Sequence, residues 1–88
     1  MIDHDAVRAR TLEILRDVTG DDAGVEDLDL PLFASGLVDS LGVVTLVLAF
    51  EQAFGLLISP AELDREQWST ARLLIADVAR RLEESRSP

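Results

Sequence analysis

The chain contains no cysteine, so neither a disulfide nor a thiolate metal site can support its fold. It contains no lysine either; all eight bases are arginine, and the single histidine, His4, lies near the N-terminus. A serine nucleophile would therefore have only His4 to draw on as a general base, which argues against a Ser-His-Asp hydrolase. Tyrosine is absent too, and with only three Phe and one Trp the core must be built from Leu, Val, Ile and Ala. That composition suits helices packed on helices. The longest apolar run, Leu41 to Phe50, is interrupted by Gly42 and Thr45 and is too short to span a bilayer. Residues 2–19 alternate charged and apolar side chains, the wrong pattern for a secretory signal. Walker and dinucleotide glycine motifs are missing. Asp27 and Asp29 alternate as in a calcium loop, but the required Gly and distal Glu are out of register. A cytoplasmic protein is the expectation.

The 88 residues predict one small domain, its core over about 4–83 and a frayed polar tail over 84–88. Seventeen acids against eight bases give a net charge of −9. Phosphate backbones and anionic membrane surfaces would repel such a chain, whereas basic docking patches on other proteins would attract it.

Val7, Thr11, Ile14, Leu15 and Val18 recur at helical spacing and make one face of a first helix, which Gly20 stops. Residues 20–39 are acidic and broken by Gly24, Pro31 and Gly36. They also carry Val25, Leu28, Leu30, Leu32 and Phe33, too many apolar residues for a free linker. We expect a loop packed over the core, with a helical turn at Leu32 to Ala34. The second long helix runs from Ser40 to Phe54, with Asp39 or Ser40 as its cap and Gly55 as its stop. Val43, Leu46, Val47, Phe50 and Phe54 form its core face. Leu41, Val44 and Leu48 then form a second apolar stripe at i, i+3, i+7, a docking face for a partner. Ser59, Pro60 and Glu62 read as cap, first position and closing residue of a capping box, starting a short helix that ends near Trp68. Ser69 or Thr70 caps the last helix, whose inward face is Leu74, Ile75, Val78 and Leu82. The fold class is all-α: three main helices plus one short one in a four-helix bundle.

Asp39-Ser40 is readable as a helix cap alone. The wider pattern says more: Leu32-Phe33, then Gly36-Leu37-Val38-Asp39-Ser40-Leu41 opening a long apolar helix, after an amphipathic helix and an acidic loop. It resembles the arrangement of acyl and peptidyl carrier proteins over about residues 7 to 82. Phe54-Gly55-Leu56-Leu57-Ile58, followed by Asp64-Arg65, Trp68 and Thr70, together with Gly42, resembles the D-alanyl carrier proteins among them.

The resemblance implies a carrier without catalytic activity of its own. Ser40 would be the attachment site of 4′-phosphopantetheine taken from coenzyme A, with the arm supplying the thiol that this cysteine-free chain lacks. Asp39 would face the phosphopantetheinyl transferase. Leu41, Val44, Leu48 and Glu51 would meet partner enzymes: an adenylating amino acid ligase, then an acyltransferase or polyketide synthase. Gly42 and Thr45 stand where related helices often carry acids, so docking is expected to depend more on shape and apolar contact, with less salt sensitivity than in those relatives. The chain is expected to act as a monomer. The cargo would be an aminoacyl or short peptidyl group, and two pathways fit: amino-acid-primed macrolactam polyketide assembly, toward which the all-arginine base content tilts, and D-alanylation of teichoic acids. A helical interaction domain with no prosthetic group is the alternative of another class.

Overall fold

A computed structural model describes residues 2–86. Its elements are α1 (His4–Thr19), α2 (Ala23–Glu26), α3 (Ser40–Phe54), a 3-10 helix (Arg65–Trp68) and α4 (Ala71–Arg86), with no strand among the described residues. Three long helices dominate, and α1 packs against both α3 and α4.

The ends of α1 follow from their chemistry. Asp3 caps it by accepting from the amides of Asp5 and Ala6, and Gly20 closes it in the left-handed conformation at φ 68°. Val7, Thr11, Ile14 and Leu15 are buried, as the periodicity predicts. Thr11 brings a hydroxyl into this face that has no hydrogen-bond partner among the described residues. In α3, Val43, Leu46, Val47 and Phe50 are buried, while Phe54 is half-buried at the end of the face. Thr70 caps α4 by accepting from the Leu73 amide at 3.2 Å. Ala71, Leu74, Val78, Ala79 and Leu82 line its buried face; Ile75, expected there, is only half-buried. The helix continues through Arg86, past the expected start of fraying at Glu84; residues 87 and 88 of the expected tail lie outside the described residues. No helix among the described residues is long and apolar enough to cross a membrane.

The two connections differ from their sequence reading. Within 20–39, the expected turn is present at residues 32–36, but the helical piece is α2, around a glycine read as a breaker. Gly24 is buried, and a Cβ on it would come 3.1 Å from Leu15, 3.2 Å from Leu32 and 3.3 Å from Leu37. The residue is there for close approach. Beyond α3, the Ser59 capping box yields a single turn, with the Glu62 amide 3.1 Å from the Ser59 carbonyl, and no α-helix. The inward residues of this stretch, Leu63 and Trp68, are five apart and cannot share one helix face. The chain instead extends at Asp64, whose carboxylate accepts from the Glu66 amide and starts the 3-10 helix.

Candidate functional site

Ser40 occupies the first position of α3. Asp39, extended at φ −110°, ψ −173°, caps the helix by accepting from the Gly42 amide at 2.8 Å. Gly42 makes room for this arrangement: a Cβ there would sit 3.2 Å from the Val38 side chain and 3.4 Å from Asp39 Oδ1. Val38 is itself buried and fixed by its amide, which donates to the Leu32 carbonyl at 2.9 Å. The cap therefore rests on a core residue. Asp39 and Ser40 are both exposed. The amides of Ser40 and Leu41, in the first turn of α3, have no intrahelical acceptor and give this end a partial positive charge.

The contact that the sequence does not foretell comes from 25 residues downstream: Arg65 Nη2 donates to Ser40 Oγ at 2.8 Å. The guanidinium also lies over the Phe33 ring, its central carbon 5.4 Å from the ring centroid. Three elements thus meet at the serine: the turn carrying Phe33, the start of α3 and the 3-10 helix. The Asp64-Arg65 pair is visible in the sequence as a family marker, but no periodicity links it to position 40.

The frame behind Arg65 is built from the same segment. Trp68 is 1% exposed and packs edge-on against Phe50, with ring centroids 5.5 Å apart at 87°. Its Nε1 donates to Asp77 Oδ2 at 2.7 Å, and Asp77 also accepts from Arg80 and Arg81. Burial alone would raise the Asp77 carboxyl, but the hydrogen bonds from Arg81, Trp68 and Arg80 outweigh it and hold the group below the ordinary carboxylate value. The loop before α3 is tied to the same region. Leu32 donates its amide to the Ser69 carbonyl at 2.8 Å, and Arg72 donates its own to the Leu28 carbonyl at 3.0 Å. The Arg72 side chain pairs with Asp29, whose hydrogen bond to it lowers the Asp29 carboxyl.

The expected docking stripe is on the surface. Leu41 is 73% exposed, Leu48 53% and Val44 41%, and Glu51 is exposed one turn further on. His4 is far in sequence from the site and is occupied with Glu83, its Nε2 3.0 Å from the carboxylate. Among the described residues, Ser40 Oγ has Arg65 as its side-chain partner and no general base.

Residues 9–78 match the family described as "Phosphopantetheine attachment site". Among proteins of similar sequence, the D-alanyl carrier protein of Lacticaseibacillus casei (strain BL23) is 43% identical over 74 residues, 84% of this chain and 91% of the relative. That of Lactococcus lactis subsp. lactis (strain IL1403) is 35% identical over 79 residues, 90% of this chain and all (100%) of the relative. A third, from Enterococcus faecalis (strain ATCC 700802 / V583), is 38% identical over 72 residues, 82% of this chain and 92% of the relative. The chemistry around Ser40 fits such a group: an exposed hydroxyl, a helix N-terminus and a guanidinium gather where a phosphodiester would be held.

Proposed function

The chain belongs to the phosphopantetheine-attachment family of carrier proteins, which hold 4′-phosphopantetheine covalently on a serine, and from this we propose that Ser40 is that serine and D-alanine the cargo. The observation that carries the assignment of Ser40 is its place: an exposed hydroxyl at the N-terminus of α3, beside a cap that leaves it accessible. When bound, the arm supplies the thiol that holds the cargo as a thioester. The residues of this chain do the rest. Asp39 and Gly42 fix the backbone at the attachment point, and Asp39 offers an exposed carboxylate to the phosphopantetheinyl transferase. Leu41, Val44 and Leu48 present an apolar strip to visiting enzymes, with Glu51 at its end. Catalysis belongs to those partners. Cytoplasmic loading by an ATP-using adenylating ligase is the setting that fits.

The names of the relatives, D-alanyl carrier proteins, support D-alanine as the cargo better than the amino acid of macrolactam assembly. Teichoic acid D-alanylation is the destination that the family resemblance implies. The polyketide reading has only the all-arginine base content in its favour.

Intact-mass measurement tests both levels. Incubation with coenzyme A and a broad-specificity phosphopantetheinyl transferase should add one phosphopantetheinyl group to the wild type and none to Ser40→Ala. A gain that persists in Ser40→Ala would move the attachment point. The loaded wild type should then take up D-alanine from its cognate ligase and ATP. Loading of a different amino acid, with D-alanine refused, would return the chain to natural-product assembly.

A further inference from the structure

We propose that Arg65 is the phosphodiester-holding residue of this carrier: it positions the Ser40 hydroxyl before modification and pairs with the phosphate anion after it. The proposal rests on the reading of Ser40 as the attachment site. Modification joins Ser40 Oγ to phosphorus, breaks the pyrophosphate bond of coenzyme A, releases adenosine 3′,5′-bisphosphate and passes the serine proton to a base outside this chain. A singly charged anion is then bonded to the atom that Arg65 Nη2 already holds at 2.8 Å.

Three observations converge on this role. First, the geometry leaves the proton of Ser40 free, because Arg65 donates and the hydroxyl accepts. Second, the guanidinium has no carboxylate partner among the described residues, whereas Arg10, Arg72, Arg80 and Arg81 each have at least one. Its remaining donors are available to a second oxygen, and a guanidinium fork matches a phosphate. Third, the surroundings would otherwise repel the anion. The chain carries −9, Asp39 adjoins the serine, and Asp64 adjoins Arg65. The Phe33 ring, under the guanidinium, restrains the arginine without spending any of its donors.

The test uses the full chain in its apo and modified forms, with wild type, Arg65→Gln and Arg65→Lys compared. In nitrogen-detected NMR, the Arg65 side-chain signal should shift on modification while those of Arg8 and Arg16 stay in place. The phosphorus resonance of the modified protein should differ between wild type and Arg65→Gln, with Arg65→Lys between them. The rate constant kcat/KM of modification should fall about two- to fivefold in Arg65→Gln at low salt, a gap that closes as salt rises. If wild type is modified on Ser40 but neither the Arg65 signal nor the phosphorus resonance moves, the role of Arg65 is overturned and the attachment site stands. If wild type gains no mass, the attachment reading fails and takes the role of Arg65 with it.

Discussion

Arg65 and Trp68 leave the same four-residue 3-10 helix in opposite directions. Arg65 reaches outward to the Ser40 hydroxyl, and Trp68 turns inward to Phe50 and Asp77. Both make one hydrogen bond to an oxygen, at 2.8 Å and 2.7 Å, yet their surroundings give those bonds different worth. The outward bond is exposed and competes with water. The inward one is buried, where a lost partner leaves a polar group unsatisfied. The difference separates two jobs within one turn. Trp68 decides where the turn sits, and Arg65 decides what the serine meets.

The comparison can be broken from the inside first. Trp68→Ala empties a core position and should cost about 3–5 kcal/mol by denaturant unfolding, a large part of the stability of a domain this size. A loss below about 1 kcal/mol would show that the turn is held by its backbone alone.

Asp77→Asn is the next largest. It keeps the shape, removes the charge, and should cost about 1–3 kcal/mol at neutral pH. Its sign with pH follows from the lowered Asp77 carboxyl. A group whose folded value lies below its unfolded one stabilises the fold above the unfolded value and loses that contribution as pH falls through the folded one. Wild-type thermal stability should therefore drop on acidification below the ordinary carboxylate range, and the drop should be shallower in Asp77→Asn. Equal acid profiles would locate the pH dependence elsewhere.

Arg65→Gln should have the smallest effect on the apo protein. Loss of an exposed ring contact and one exposed hydrogen bond should change unfolding free energy by no more than about 0.5–1 kcal/mol. A cost as large as that of Trp68→Ala would merge the two roles and make Arg65 part of the frame.

The long helices and the place of Ser40 at a helix start were legible in the sequence because each depends on neighbours within a few positions. Val7 through Val18, and Val43 through Phe50, repeat with the helical period, and Gly20 and Gly55 mark the stops. The outward stripe followed by subtraction, since Leu41, Val44 and Leu48 were left over once the core face was filled. What escaped depends on distant partners. Gly24 looks like a breaker until Leu15, Leu32 and Leu37 close around it. Ser59 and Glu62 look like a capping box until the spacing of Leu63 and Trp68 denies the helix a face. Ile75 lost its expected burial, while Asp77, an acid on the same helix, went into the core because Trp68, Arg80 and Arg81 were there to satisfy it. Arg65 meets Ser40 only because the chain between them first makes α3 and then returns.

With no tyrosine and one tryptophan, the chain carries a single indole chromophore, Trp68, enclosed against Phe50 and three residues from the arginine at the serine. The emission of the unlabelled protein therefore reports on one place, so a partner or cargo that moves the turn changes its colour or intensity without any dye attached.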